Sequence, residues 1–569
     1  MKKEKNKSPK ANLDEKAPAP VASSEMKPQA GLLQKFSLED KVNFILLFFL
    51  LMAVISIRLN FLSIPFERDE GIYSYYGKLL NEGKIPYKDF YEQKFPGLFY
   101  LYAVVVSIFG DTLEGMHKGF LYINIATILF VFFGVRKLFS ASAGTVSAIA
   151  FSFLSLTPVL SGFTVQAEHG VAMFVSLGIL FYAYARKSGL WYHYFFMGLA
   201  MGMAFMVKTS GVFLVAAGGL IVITDFIFSK DRKIKTLLVN AGSYGGGGLL
   251  VVATFFMIIL AKGSFKEMIF WTYYIPKRYV SKVPFHDGIQ YFKMVFGAIY
   301  EHHEFFWIGA FLALGLILLP TVKWATKAFV VLLFVFSMLT VVPGFYFYGH
   351  YFIQTLPGIA ILSGFTFFAI TDFISSKFQV RSPMLKFGLL GVFVMFGCTH
   401  VEGMKDYYFS PDVEQIVRGV YGTNPFPEAY EVSNYLSTHI KPEDQVLVFG
   451  SEPEIYFYLH KKSPSRHAYF SAIVDNVPEH KQWQREFVSD VEKVKPKYLV
   501  VFHNAISILA QPNTDQYVFQ WLDKYIAQSY TLIGIVDQLD GGTSKYLWRE
   551  QIQNYKPVSQ NVVYILERH

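Results

Sequence analysis

Residues 42–71 read VNFILLFFLLMAVISIRLNFLSIPFERDEG. The part over 42–62 has the length of a bilayer-spanning helix, about 20 largely apolar residues. No small-residue cleavage site follows it, so it reads as a span and not as a signal peptide. Directly behind it come Glu67, Arg68, Asp69 and Glu70. A span that delivers consecutive charges to the membrane–water boundary points to a polytopic membrane protein with chemistry at one rim.

Working outward, further runs of spanning length lie at 118–135, 141–160, 169–185, 236–261, 304–320, 327–343, 350–371 and 386–402. The run 193–228 would make a helix of about 54 Å, too long for one crossing. It is expected to break at Lys208-Thr-Ser-Gly211 into two, giving eleven spans in all. Composition agrees: 53% of the 569 residues are apolar, 18% aromatic and only 17% charged, against roughly 25% charged in a soluble domain. A disordered chain, a disulfide scaffold and an ordinary cytosolic enzyme are excluded. Cys398 is the single cysteine, so no intrachain disulfide can form. The formal charge of +9 suits basic cytoplasmic loops as well as an anionic ligand, and does not suggest nucleic acid. Residues 1–41, rich in Lys, Pro and Ala, read as a disordered cytoplasmic tail.

The run 98–109 is too short to decide by length, and loop charge arbitrates. If it does not span, Arg136-Lys137, Arg186-Lys187, Lys230–Lys235, Lys323/Lys327 and Lys377/Arg381 all fall on the side of the tail. It is therefore expected as a juxtamembrane helix in an outer loop, 63–117. The transmembrane part runs over 42–403. The segment 262–303, with six cations, lies outside; either the charge rule is weaker there or the cations meet an anionic ligand. From 404 to 569 the composition changes, and Gln445–Gly450, Lys497–Phe502 and Tyr530–Val536 read as short buried strands with helical patterns between them. A small extracytoplasmic α/β domain with a partly parallel sheet is expected.

Under this topology scarce charges converge on the outer face. Asp69 can cap the helix that follows it or act as a base. Lys94 stands just ahead of a helix that Pro96 can begin, where an anion is favoured, although a lone lysine also snorkels. Glu168 closes the second outer loop, Lys208 interrupts an apolar run, and His350-Tyr351 sits in an interfacial aromatic cluster. Carboxylates can activate a hydroxyl, while cations can hold a leaving phosphate. Other motifs fail. Gly245–Gly248 lacks the Gly-Lys-Ser/Thr of a phosphate loop and reads as a packing surface. His302-His303 lacks a second ligand pair, so no metal site is read.

Arg68-Asp69-Glu70-Gly-Ile-Tyr73, Pro86-Tyr-Lys-Asp-Phe90 and Lys94-Phe-Pro-Gly97 together resemble the first outer loop of the GT-C membrane glycosyltransferases. More narrowly they are similar to the family 39 branch, which holds protein O-mannosyltransferases and lipid A aminoarabinose transferases. Gly349–Leu362 resembles a late span of bacterial members, and Val446–Gly450 through Arg466 the start of their outer domain. The resemblance implies an inverting transfer from a polyprenyl-phosphate sugar to a hydroxyl of a protein, lipid A or glycan, outside the cytoplasmic membrane. It makes Asp69 the acceptor-activating carboxylate, with Glu70 in support and Glu168 at the acidic position of the second outer loop. Lys94 takes the family's Lys-Pro-Pro position toward the donor phosphate, with Phe95 in place of the first proline. Arg68, Lys208, His350 and Tyr351 complete the candidate phosphate side, the histidine–tyrosine pair standing where relatives often carry Arg. No cofactor is implied, and family members differ on metal need. Two other readings remain: a ligase or polymerase using polyprenyl-diphosphate donors, which the basic 262–303 loop keeps open, and a secondary transporter, which would predict an internal repeat that is not seen.

Overall fold

The computed structural model describes residues 37–569 except 231, 281, 302, 380–382 and 540–541, and the backbone alone of Tyr279. Residues 1–36 of the expected tail lie outside the described residues. Its last residues belong to the first helix, α1 (Leu38–Leu59), which opens on a capping box between Ser37 and Asp40.

The helices that follow are α2 (Arg68–Asn81), α3 (Gly97–Phe109), α4 (Leu113–Leu138), α5 (Ala141–Leu154), α6 (Ala167–Ser188), α7 (Trp191–Val207), α8 (Val212–Ile227) and α9 (Ile234–Ala261). Next come α10 (Phe265–Ile269), a π turn over Phe270–Tyr274, α11 (Ile275–Val280), α12 (Phe285–Glu301), α13 (Glu304–Leu316), α14 (Trp324–Leu339), α15 (Leu356–Phe378) and α16 (Pro383–Gly403). A helix stands at each of the eleven apolar runs. By length and composition, seven of the described helices can cross a membrane. α3, α5, α13 and α14 are shorter and apolar. The long run breaks where expected: Lys208 is extended, with φ −145° and ψ 132°, and a 3-10 turn follows at Thr209–Gly211.

Polar contacts pin the helix ends opposite the α2 side. Arg136 at the end of α4 pairs with Asp40 at 2.8 Å, and Lys386 of α16 with Glu39 at 3.1 Å. Asn43 donates to Ser142 at 3.1 Å, bringing in α5. Within the bundle α7 lies close on α9, and part of the glycine run makes this possible. A Cβ on Gly247 would lie 2.9 Å from the Leu199 nitrogen, whereas Gly245 and Gly246 face open space.

The C-terminal segment builds a five-stranded sheet from β1 (Val446–Phe449), β2 (Tyr498–His503), β3 (Tyr530–Gln538), β4 (Ser544–Trp548) and β5 (Val562–Arg568), in the order β1-β2-β5-β3-β4. β1 and β2 are parallel and the remaining pairs antiparallel. The parallel pair needs a crossover, which the helices between β1 and β2 supply. All four β1 residues are buried. The 262–303 segment leans on this unit: Arg278 pairs with Glu479 and Lys282 with Asp475, each at 2.7 Å. Those two cations are thus taken up by carboxylates of the chain itself.

Candidate active site

α2 begins at Arg68 because Glu67, not Asp69, is its N-cap. The Glu67 side chain accepts from the Glu70 N–H at 3.1 Å, and the Glu67 N–H donates to Glu70 Oε2 at 2.9 Å. This corrects the capping role considered for Asp69, and it sets directions. Successive helical residues point about 100° apart, so Arg68, Asp69 and Glu70 face three different neighbours.

Asp69 faces the site. Its Oδ2 accepts from the Tyr73 hydroxyl, one turn on, at 3.0 Å. Lys94 donates to the same hydroxyl, lies 4.6 Å from the Tyr73 ring centroid, and is 3.5 Å from Glu92. From the other side Glu168, at the start of α6, pairs with Lys208 at the α7–α8 break. His350 Nε2 stands 3.9 Å from Glu168, and Lys208 lies 3.9 Å from the Tyr351 ring centroid. The segment leading to His350 is held in an unusual backbone, with Phe345 at φ 58° and Phe347 at φ 48°. Left-handed aromatic residues are costly and cluster at functional sites.

The electrostatics keep Asp69 and Lys94 charged. Burial works against an ionised Asp69, but Lys94 and His350 outweigh it and, with the Tyr73 hydroxyl, hold the carboxyl below the usual range. Burial also works against a charged Lys94, and Glu92 and Asp69 outweigh it, raising its pKa. By contrast, burial and the Asp69 charge push Glu67 up to about 8. Glu70 is pushed well above its ordinary value by burial and by Glu67.

The structure therefore brings together Asp69, Lys94, Glu168, Lys208, His350 and Tyr351. It does not bring in Glu70 or Arg68. Glu70 is fully buried, accepts from the Val165 N–H, and lies 3.9 Å from His117. Arg68 turns to the C-terminal segment, donating to the carbonyls of Ser451 and Ile506 and to Asn424. Sequence reasoning missed Tyr73 and Glu92. The four-residue spacing from Asp69 could have signalled Tyr73; nothing in the loop pattern singles out Glu92. Among the described residues no group of three or more His, Cys, Asp or Glu is arranged to hold a metal ion.

Comparison with known proteins bears on this arrangement. The family model of dolichyl-phosphate-mannose-protein mannosyltransferases matches residues 93–260, a stretch that includes Lys94, Glu168 and Lys208. No curated protein matches. Among solved structures the fold is similar to ArnT from Cupriavidus metallidurans bound to undecaprenyl phosphate, at 13% identity over 92% of this chain and 97% of that one, with a TM-score of 0.55. The apo state of the same protein gives 14% identity, 90% and 96% coverage, and a TM-score of 0.56. AglB from Archaeoglobus fulgidus, in complex with an inhibitory peptide and a dolichol-phosphate, gives 12%, 91% and 75%, and 0.48. With its apolar helices, this chain is a multi-pass membrane glycosyltransferase of the GT-C type. Its matched segment resembles the mannosyltransferase model, and its fold resembles ArnT.

Proposed function

We propose that the protein transfers a sugar from a polyprenyl-phosphate donor to a hydroxyl acceptor, with inversion, on the outer side of the cytoplasmic membrane. The observation that carries this is the grouping of Asp69 in one cluster with Lys94, Lys208 and His350, joined through Tyr73, Glu168 and Tyr351. Asp69 takes the proton of the acceptor hydroxyl as its oxygen attacks the anomeric carbon. The bond from that carbon to the phosphate oxygen breaks on the opposite face, and polyprenyl phosphate leaves with the electron pair. Lys94 and Lys208 balance the charge that develops on the phosphate, in a site partly withdrawn from water where such pairing is strong. His350 and Tyr351 border the same position. Glu92 and Glu168 hold the two lysines in place between turnovers. Glu70 supports the reaction by fixing the first turn of α2, and the unit over 404–569 lies on the acceptor side of the membrane.

ArnT in its complex binds undecaprenyl phosphate, and the matching family model is named for a dolichyl-phosphate donor, both of which support a lipid-phosphate donor here. The test is Asp69→Asn in the purified, lipid-reconstituted protein. Loss of a positioned general base costs roughly 10²–10⁴ in rate. Full transfer activity in that variant, with a polyprenyl-phosphate sugar the parent uses, would falsify the assignment.

A further inference from the structure

Asp69 and Lys94 of the candidate site are carried by one loop, and the C-terminal segment grips that loop at two places. The first grip is on α2. Arg68, next to Asp69, donates through Nε to the Ser451 carbonyl at 3.3 Å and through its terminal nitrogen to Asn424 Oδ1 at 3.1 Å and the Ile506 carbonyl at 3.2 Å. Its guanidinium also lies 3.7 Å from the Glu452 carboxylate. One residue pair further on, Gly71 meets the backbone of Glu454 so closely that a Cβ would lie 2.8 Å from the Glu454 Cα. The Phe66 N–H donates to the Tyr458 hydroxyl at 2.7 Å, and the Ser463 N–H to the Tyr75 hydroxyl at 2.9 Å.

The second grip is three residues ahead of Lys94. The Tyr91 hydroxyl lies 2.6 Å from His467 Nδ1. The Tyr91 ring stacks on Trp271 at 3.7 Å with planes 6° apart, and Trp271 stacks in turn on Trp483 at 5.0 Å. His467 is backed by Glu486 at 3.6 Å, which also holds Arg466 through two oxygens at 2.6 and 3.1 Å. The first grip is made at the residue before Asp69, and the second lies three residues ahead of Lys94.

We infer that the C-terminal segment is a positioning element of the transferase, with Arg68 registering Asp69 and the Tyr91–His467 contact registering Lys94. This rests on the roles proposed above for Asp69 and Lys94. Arg68 and His467 are positioning residues, since each acts through a neighbour on the loop. A misplacement of about 1 Å at a reacting group can cost on the order of 10²-fold in rate, so each grip has a kinetic signature of its own.

The experiment uses the full-length protein in lipid nanodiscs, with undecaprenyl phosphate as the binding probe and an undecaprenyl-phosphate sugar that the parent turns over as donor. Arg68→Ala is expected to lower kcat by about tenfold or more while leaving undecaprenyl phosphate affinity within about twofold of the parent. Arg68→Lys, which keeps one donor to the facing carbonyls, recovers part of kcat. His467→Ala and Tyr91→Phe show the reverse pattern: affinity falls by about tenfold with a smaller change in kcat at saturating donor. Parental values for both grips overturn the inference. So does an equal loss in both readouts from either variant, the result of general destabilisation. Weakened affinity in Arg68→Ala would instead make Arg68 a phosphate ligand. An active Asp69→Asn protein removes the base assignment and leaves the His467 result standing, and a parent that does not bind undecaprenyl phosphate removes the donor reading, so the two failures are told apart.

Discussion

The Tyr73 hydroxyl donates to Asp69 at 3.0 Å and accepts from Lys94, linking the candidate base to the nearest cation through one phenol. The hydroxyl is one of the groups that hold the Asp69 carboxyl below its usual range, after Lys94 and His350 have offset burial. Tyr73→Phe removes that stabilisation of the ionised form, so the Asp69 pKa rises. The acid limb of the kcat/KM profile should move to higher pH, and the plateau should fall by about tenfold as Lys94 loses its stop. An acid limb that stays where it is in the variant sinks the linkage.

Lys94 and Lys208 face the same space from different elements, each held by a carboxylate, Glu92 and Glu168. A charge-assisted hydrogen bond contributes about 1.5–3 kcal/mol, which is roughly ten- to a hundredfold in affinity. Lys94→Ala should therefore raise the donor KM by that factor and leave the acceptor KM nearly unchanged. Titrating the acceptor at fixed donor checks this, and an equal effect on both substrates contradicts a donor-phosphate role.

Much of this arrangement is legible in sequence, and for a physical reason. Lipid requires long apolar runs, so each of the eleven runs coincides with a helix, and Lys208 marks the break in the longest stretch. Sorting the Lys/Arg loops then puts Asp69, Lys94, Glu168, Lys208 and His350 on one face, where the structure has them within reach of one another. The directions of adjacent residues are not legible. Where α2 starts depends on Glu67 capping Glu70, and a start one residue later would turn Arg68, Asp69 and Glu70 to other neighbours. The sheet is half legible: β1, β2 and β3 are continuous apolar runs. β5 ends on Glu567-Arg568 and is last in the chain, yet it lies between β2 and β3. That place depends on pairing partners distant in sequence.

The glycine run of α9 gives a packing test. Gly247 meets backbone atoms of α7, which cannot move aside as a side chain can, while Gly245 faces open space. Gly247→Leu should destabilise the α7–α9 contact by about 1–3 kcal/mol, and Gly245→Leu should be close to neutral. Thermal unfolding in one detergent compares the two; similar melting temperatures would mean the close approach is not needed.

Glu67 offers a pH test of stability that is independent of the donor. Burial, then the Asp69 charge, pushes its pKa from 4.5 up to about 8. The folded protein therefore keeps this proton over a range in which the unfolded chain has lost it. Stability from this group is complete below about pH 4.5 and is lost as pH rises toward about 8, because the folded state binds more protons across that window. Glu67→Gln keeps an acceptor for the Glu70 N–H and removes the titration. Near pH 5, where Glu67 keeps its proton in the folded state, the variant should melt close to the parent, since the amide oxygen still accepts from Gln166, which donates to Glu67 at 2.5 Å. By pH 8.5 the order should reverse, with the variant the more stable. Melting temperatures of both proteins measured in parallel from pH 5 to 8.5 cancel the titrating groups that do not face Glu67, and a constant difference between the two curves would show that Glu67 does not hold a proton in the folded state.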